Sequence, residues 1–264
     1  SGKSACALAV AKAFDGVIVN ADSMQVYRDL RVLSARPSAE EEAEAPHRLY
    51  GVLDASEKCS AGRWRELAME EILAASLAGK LPILVGGTGL YIEALLYGIA
   101  AMPTIPESVR DAAMARHAEI GGAAFRVELA AMDPFGAGRL DPGDTQRLVR
   151  AYEIVKATGT PQFEWQRREV LEPAPVDPLV VKLLPERPGL YHLCDARLDR
   201  MIAEGGLDEV RALAARGLDP MLPAMKAVGV PPLLRHVAGE ISLPEALEIA
   251  KRDTRRYAKR QLTW

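Results

Sequence analysis

The order of apolar segments in the first part of the chain is the feature that most constrains its fold. Two short apolar runs typical of buried strands alternate with three segments of helical pattern. In chain order these are a helix over 4–14, a strand over 17–20, a helix capped by Ser60 and ending near 78, a strand over 81–85 and a helix ending near 97. This alternation predicts an α/β fold in which helices flank a parallel sheet.

The alternation stops near residue 102. Residues 103–176 have helical patterns separated by breaks rich in Pro and Gly, which predicts an inserted all-helical subdomain. We therefore assign the sheet-containing core to 1–102 and 177–264, with 103–176 as the insert.

The remaining segments of the core have simpler patterns. Residues 37–57 are acidic and contain prolines, as expected of a solvated loop. Residues 179–184 are mostly apolar, which predicts that the chain returns there to the sheet. Residues 195–264 have the pattern of amphipathic helices, interrupted near 217–223 and 229–232.

Composition excludes several classes of protein. The chain is 49% hydrophobic, which is enough for a buried core, yet it has no membrane-length apolar run and no signal sequence. Its three cysteines are far apart, so neither a disulfide framework nor a zinc site is predicted. The net charge of −3 gives no global positive field. We therefore expect a cytoplasmic monomer with no membrane contact.

Ser1-Gly2-Lys3-Ser4, directly before the first helix, matches the last half of a P-loop. Glycine lets backbone N–H groups close on phosphate oxygens at a helix N-terminus, where the dipole favours negative charge. Lys3 would reach the terminal phosphates, and the Ser4 hydroxyl would bind Mg²⁺. A surface turn is the alternative for so short a match, but the α/β alternation favours the P-loop. Because Ser1 lies inside the motif, we expect the chain to be a fragment.

Two further candidate residues follow predicted strands. Asp22 comes after the strand over 17–20, and Thr88, in Gly86-Gly87-Thr88-Gly89, comes after the strand over 81–85. Since the carboxyl ends of parallel strands meet at one edge, both should lie near the P-loop. Asp22 could be a general base or an outer ligand of Mg²⁺, with an Asx turn or helix cap as an equal alternative. Thr88 could bind a ligand or cap the next helix. Together these features predict a P-loop NTPase-like core with a phosphorylated ligand.

Two helical segments have side chains arranged to contact nucleic acid. Gln146, Arg147 and Arg150 share a helix of the insert and could contact base edges and phosphates. Residues 251–264 carry a net charge of +5, which leaves −8 on the other 250 residues. The six cations form two adjoining rows, Lys251, Arg255, Lys259 and Arg252, Arg256, Arg260. An ordinary solvated helix face is the alternative for both segments.

Seven stretches of the sequence resemble the family of tRNA dimethylallyltransferases, also called tRNA isopentenyltransferases. They are SGKSACALAVA, VNADSMQVY, SARPS, PHRLYGVLD, ILVGGTGLY, DPGDTQRLVRAYEIVKATGTP and TRRYAKRQLTW. The resemblance implies transfer of a dimethylallyl group from dimethylallyl diphosphate to the N6 amine of the adenosine immediately 3′ of a tRNA anticodon. It also implies Mg²⁺ as the cofactor and the tRNA anticodon stem-loop as the acceptor.

The resemblance implies a role for each matching residue. The diphosphate-binding residues would be Ser1, Gly2, Lys3 and Ser4, with Ser4 also on Mg²⁺. The catalytic residues would be Asp22, which accepts the proton of the attacking amine, and Thr88 and Arg110, which line the reaction channel. The tRNA contacts would be Asp22, Ser23, Met24, Gln25, Gln146, Arg147, Leu148, Val149 and Arg150. The segment 226–231 departs from the family pattern of a tRNA contact, and Pro231 and Pro232 are expected to end any helix there.

Three other functions share parts of this pattern. An adenylate isopentenyltransferase would prenylate a free nucleotide, and a P-loop kinase would phosphorylate a small metabolite. A nucleotide-gated RNA-binding module would use the loop as a switch without prenyl transfer. The insert and the basic C-terminal helix favour a polymeric acceptor over a free nucleotide.

Overall fold

The computed structural model describes residues 2–168 and 170–263. The chain divides into two compact units, Ser1–Leu96 together with Pro175–Trp264, and Tyr97–Ala174. The second unit overlaps the predicted insert, 103–176, and begins earlier. Among the described residues, no helix is both long and apolar enough to cross a membrane.

The first part of the first unit alternates between helices and strands. Its elements are α1 (Lys3–Ala13), β1 (Gly16–Ala21), α2 (Ala39–Glu44), β2 (His47–Arg48), α3 (Ala61–Leu77), β3 (Leu81–Gly86) and α4 (Gly89–Leu96). The hydroxyl of Ser60 caps α3 by accepting a hydrogen bond from the Arg63 N–H at 3.1 Å. The three helices and two strands predicted up to residue 97 are confirmed.

The strands of this unit form a parallel sheet in the order β2-β1-β3. β1 and β3 pair along their whole length, from Gly16 opposite Leu81 to Ala21 opposite Gly86. β1 is buried throughout because it is the central strand and both α1 and α3 pack against it. The parallel sheet flanked by helices is therefore as predicted.

The acidic segment 37–57 is not a loop throughout. The Ser38 hydroxyl accepts a hydrogen bond from the Glu41 N–H at 3.2 Å, and the Glu41 carboxylate accepts one from the Ser38 N–H at 2.9 Å. This reciprocal capping box starts α2, and β2 follows it. The loop prediction was wrong here because it weighed the charge of the segment and not its S-x-x-E pattern.

The prediction of a strand over 179–184 was also wrong. The segment has no regular secondary structure, and Leu179 and Leu184 are 92% and 72% exposed. Pro178 and Pro185 border it, and proline has no N–H for a strand ladder. Apolar composition predicts burial but does not supply the neighbouring strand that pairing requires.

The rest of the first unit is helical. It contains α9 (Arg187–Met201), a π-helical turn (Ile202–Gly206), α10 (Leu207–Ala215), a 3₁₀ turn (Ala224–Lys226), α11 (Val230–Val237) and α12 (Leu243–Thr263). α12 packs against α9 and α11. Pro231 and Pro232 lie in α11 close to its start, which corrects the expectation that they end a helix. The first turn of a helix tolerates proline because its N–H groups have no partner within the helix.

The second unit is mainly helical. It contains α5 (Glu107–Ala130), α6 (Pro134–Arg139), α7 (Thr145–Thr158), α8 (Gln162–Arg168) and an antiparallel pair of short strands, β4 (Ile99–Ala100) and β5 (Val170–Leu171). Phe125, Leu129 and Leu148 form a fully buried core where α5 packs against α6 and α7. The strand pair was not predicted, so the unit is not all-helical.

Candidate functional site

The candidate site lies at the carboxyl ends of β1 and β3. These ends are joined by a hydrogen bond from the Thr88 N–H to the Ala21 carbonyl at 3.2 Å. A Cβ atom on Gly86 would lie only 2.1 Å from the Ala21 oxygen. Glycine at this position therefore permits the close approach that brings the loops after the two strands together.

The N-terminus of α1 lies at the same edge of the sheet. A turn at residues 14–15 joins α1 to β1, so the helix runs antiparallel to the strand and begins near the carboxyl end of the strand. Gly2 precedes the helix with a φ of +81°, a left-handed conformation that glycine adopts without strain. The N–H groups of the first turn have no partners within the helix and point towards the space ahead of it, where an anion would bind. Ser1 lies outside the described residues.

Asn20 fixes the loop that carries Asp22. The Asn20 side chain is fully buried, accepts a hydrogen bond from the Asp22 N–H at 2.8 Å and donates to the carbonyls of Asp22 and Leu49 at 3.0 and 3.1 Å. One carboxylate oxygen of Asp22 accepts from the Met24 N–H at 2.9 Å. Asp22 thus forms the Asx turn that was the alternative to a chemical role, and its carboxylate still lies at the site.

The Thr88 hydroxyl connects the two loops. Its oxygen accepts a hydrogen bond from the Ser23 N–H at 2.9 Å, and it donates to the Ser23 hydroxyl at 3.2 Å. The Thr88 carbonyl accepts the first backbone bonds of α4, so the residue also stands at the start of that helix. The structure therefore brings Asp22, Ser23 and Thr88 together.

Two cations interact electrostatically with Asp22. Burial raises the pKa of Asp22, while hydrogen bonds from the backbone of Met24 and Gln25 and the charges of Lys3 and Arg197 oppose this rise. Burial lowers the pKa of Lys3, the charge of Asp22 opposes that change, and the charge of Arg197 adds to it. The site therefore combines a carboxylate that is costly to ionise with two positive charges.

Arg197 was missed by the sequence analysis. It lies on α9, 175 positions after Asp22, in a stretch without a recognisable motif. Only the packing of α9 into the first unit brings it near the P-loop, so no local pattern could have identified it.

Two side chains of α12 complete this edge. Lys3 Nζ donates a hydrogen bond to Gln261 Oε1 at 3.1 Å. Burial raises the pKa of Tyr257, the charge of Asp22 adds to this rise, and interactions with the Gln261 and Thr88 side chains oppose it. Both residues lie in the TRRYAKRQLTW stretch, where the sequence analysis assigned a role only to the cations.

The cations of α12 do not form a uniform surface. Lys251 and Arg255 pair with Asp199 and Asp195 of α9, each at 2.7 Å. These two ion pairs therefore anchor the helix. The cations left exposed are Arg252, Arg256, Lys259 and Arg260.

The other predicted tRNA contacts in the first unit are partly used in holding the loop. The Gln25 amide donates to the carbonyls of Ser34 and Ala35 at 2.8 and 2.9 Å. Ser23 and Met24 are half-buried. The Gln25 amide nitrogen thus has a structural role, and contact of this loop with RNA stays a prediction.

The remaining predicted residues lie in the second unit. Arg110 is half-buried in the first turn of α5. On α7, Gln146 and Arg147 are exposed, and Arg150 pairs with the buried carboxylate of Glu153 at 2.5 Å. Leu148 and Val149 are 0% and 4% exposed. Their side chains belong to the core of the unit, so contact of these two residues with tRNA would come from their backbone and stays a prediction.

The described residues contain no group of three or more His, Cys, Asp or Glu side chains suited to hold a metal ion. The Ser4 side chain is exposed in the first turn of α1. A protein metal centre of several such ligands is therefore not built into this part of the chain, and Mg²⁺ on Ser4 would need further ligands from a substrate.

Comparison with known proteins identifies close relatives. A family model described as IPP transferase matches residues 25–264. The tRNA dimethylallyltransferases of Rhodospirillum centenum and Rhodospirillum rubrum are 54% and 55% identical to this chain. These alignments cover the whole chain and 84% and 81% of the two relatives.

Solved structures with similar folds carry related names. The full-length tRNA isopentenylpyrophosphate transferase of Bacillus halodurans has a TM-score of 0.69 and 34% identity, over the whole chain and 82% of that structure. A eukaryotic dimethylallyltransferase acting on tRNA has a TM-score of 0.79 and 26% identity, over the whole chain and 66% of that structure.

Proposed function

The chain belongs to the IPP transferase family and is a prenyl-type transferase that acts on tRNA, and from this premise we propose the reaction and the role of each residue. The donor is dimethylallyl diphosphate, and the acceptor is the N6 amine of the adenosine immediately 3′ of the anticodon. The products are N6-(dimethylallyl)adenosine in tRNA and diphosphate. The observation that carries the proposal is the edge of the sheet where α1 begins. There the Thr88 hydroxyl bonds to Ser23 beside Asp22, and Lys3 and Arg197 interact electrostatically with the Asp22 carboxylate.

The diphosphate binds at the N-terminus of α1. The free N–H groups of the first turn and the helix dipole favour an anion there, and Gly2 allows a close approach. Lys3 and Arg197 add two positive charges. They stabilise the negative charge that develops on the leaving diphosphate as the bond from its oxygen to the allylic carbon breaks.

Asp22 accepts the proton of the acceptor. The N6 nitrogen attacks the allylic carbon, the new C–N bond forms as the C–O bond breaks, and the N6 proton passes to the Asp22 carboxylate. A pKa raised by burial makes this carboxylate a stronger base than an exposed one. The hydrogen bonds from the Asp22 N–H to Asn20 and from the Met24 N–H to the Asp22 carboxylate hold its loop in place.

Thr88 lines the channel between donor and acceptor, and we assign Arg110 a role in the same reaction from the family resemblance. The hydrogen bonds of Thr88 to Ser23 support this role, because they fix its hydroxyl beside the Asp22 loop. The adenine amine is inaccessible in a stacked RNA, so the base must leave the stack to reach Asp22.

The exposed cations of α12, together with Gln146 and Arg147 of α7 and the segment Asp22–Gln25, contact the anticodon stem-loop. Arginine and lysine bind phosphates without reading sequence, whereas glutamine can pair with a base edge. A local positive face therefore binds RNA although the whole chain is acidic, with a net charge of −3.

Ser4 provides a hydroxyl at this edge, the kind of oxygen ligand that Mg²⁺ takes alongside substrate phosphates. This hydroxyl therefore fits the ion. When bound, Mg²⁺ would neutralise charge on the diphosphate.

The test is a comparison of acceptors. The protein is incubated with labelled dimethylallyl diphosphate, Mg²⁺ and either unmodified tRNA or AMP, and the label in each acceptor is measured. We expect label in tRNA and none in AMP. Label in AMP alone would indicate an adenylate isopentenyltransferase instead. No label in either acceptor, together with turnover of ATP in a separate reaction, would indicate a kinase or a nucleotide switch.

A further inference from the structure

Near the end of α12, the side chain of Gln261 contacts the P-loop lysine. Gln261 Oε1 accepts a hydrogen bond from Lys3 Nζ at 3.1 Å, and both side chains are half-buried. The two residues are 258 positions apart, so the contact depends on the packing of α12 within the first unit.

The glycine loop after β3 leaves room for this amide. A Cβ atom on Gly87 would lie 2.3, 2.7 and 2.9 Å from Nε2, Cδ and Oε1 of Gln261, its three nearest atoms. The φ angle of Gly87 is outside the left-handed region, so the backbone itself does not require glycine. The space that Gly87 leaves is occupied by Gln261.

A neutral acceptor has a specific advantage at this lysine. The ammonium group has three donors, and a bond to an amide oxygen leaves its charge and two donors for a diphosphate. Asp22 lies at the same edge and attracts the same ammonium. A direct pair of Lys3 with Asp22 would neutralise the cation and make the carboxylate a weaker base.

We propose that Gln261 is a positioning residue that holds the Lys3 ammonium at the diphosphate site and away from Asp22. The inference rests on the proposed function, because it assigns the diphosphate to Lys3. Gln261 acts on the site through Lys3, and Gly87 supports it by leaving the space for its amide.

The experiment measures binding of inorganic pyrophosphate with Mg²⁺ by calorimetry, and the pH dependence of single-turnover transfer. Gln261→Ala should weaken pyrophosphate about tenfold, as expected for loss of one charge-assisted contact. Gln261→Glu should weaken it further, because a carboxylate pairs with Lys3 and repels the anion. In Gln261→Ala the acid limb of the rate profile should move to lower pH, since Lys3 then pairs with Asp22.

Gly87→Ala provides an independent variant that leaves Gln261 in the sequence. Its methyl group displaces the flexible end of Gln261, so it should weaken pyrophosphate as much as Gln261→Ala. The double variant should be no weaker than either single one, because both changes break one contact. Gly138→Ala, with open space around its Cβ, and Gln166→Ala, an exposed glutamine, are the matched controls and should bind as the wild type does.

Pyrophosphate binding requires neither tRNA nor transfer, so it separates this inference from the proposed reaction. If the wild type bound pyrophosphate in a Gln261-dependent way but transferred nothing to tRNA, the proposed reaction would be wrong and the role of Gln261 would be supported. The inference would be overturned if Gln261→Ala and Gln261→Glu bound pyrophosphate within twofold of the wild type. It would also be overturned if the losses of affinity in Gly87→Ala and Gln261→Ala multiplied in the double variant. A wild type that does not bind pyrophosphate would overturn both.

Discussion

Replacement of Asp22 separates its chemical role from its structural one. The carboxylate accepts a hydrogen bond from the Met24 N–H at 2.9 Å, and the amide oxygen of Asp22→Asn can accept the same bond. The Asp22 N–H bond to Asn20 involves the backbone and survives any substitution. Asp22→Asn should therefore keep the loop in place while it removes the base.

The expected loss follows from the chemistry of proton transfer. A positioned general base typically contributes about 10²–10⁴ in rate. We expect single-turnover transfer to fall at least about a hundredfold in Asp22→Asn, and at least as much in Asp22→Ala, which also loses the turn. Affinity for tRNA should change by no more than about threefold, because one carboxylate among many phosphate contacts adds little binding.

The assay measures, by rapid quench, the transfer of a labelled dimethylallyl group to tRNA bound to an excess of enzyme. Affinity for tRNA is measured separately by filter binding. Asp15→Asn is the matched control, since Asp15, in the turn before β1, is 77% exposed and pairs with Lys80. It should transfer at the wild-type rate. A rate for Asp22→Asn within tenfold of the wild type would refute the assignment of the base.

Four further predictions follow from contacts of the first unit. Arg197→Ala should raise KM for dimethylallyl diphosphate about tenfold without a change in tRNA affinity. Arg200→Ala, an exposed residue on the same helix, should leave KM unchanged; equal rises in KM would count against a diphosphate role for Arg197. Because burial raises the pKa of Asp22, the wild-type single-turnover rate should rise with pH through an apparent pKa above the usual value of about 3.9. An apparent pKa at or below that value would contradict the prediction. Asn20→Ala should lower the free energy of unfolding in urea by roughly 2–4 kcal/mol, because its buried side chain makes three hydrogen bonds; a change below about 1 kcal/mol would contradict this. Arg256→Ala should reduce the slope of log Kd for tRNA against log salt by about 0.7–0.9, because Arg256 is exposed and its contact with Asp253 is long, at 3.5 Å. Arg255→Ala should reduce it by less, because Arg255 is half-buried and pairs with Asp195 at 2.7 Å; the reverse order would contradict the assignment of the exposed cations.

The parts of the site that the sequence predicted are those set by local order along the chain. Gly2 and Lys3 precede a helix, and Asp22 and Thr88 follow strands of a parallel sheet, so connectivity alone places them at one edge. The same logic predicted α1, β1, α3, β3 and α4. Periodicity and capping are local properties, and here they were sufficient.

The parts that the sequence did not predict depend on long-range packing. Arg197, Tyr257 and Gln261 reach the edge only because α9 and α12 pack in the first unit, and helical periodicity does not specify which neighbour a face meets. Apolar residues over 179–184 predicted a strand, but strand formation also requires a partner. Leu148 and Val149 match a family motif, yet their positions on α7 face the core.

The most direct test of the central claim is a crystal structure of the protein with inorganic pyrophosphate and Mg²⁺. We expect pyrophosphate at the N-terminus of α1, within hydrogen-bond distance of the first-turn N–H groups, Lys3 and Arg197, with the Asp22 carboxylate facing the open side. Pyrophosphate bound instead to the exposed cations of α12, or to α1 without contact to Lys3, would contradict it.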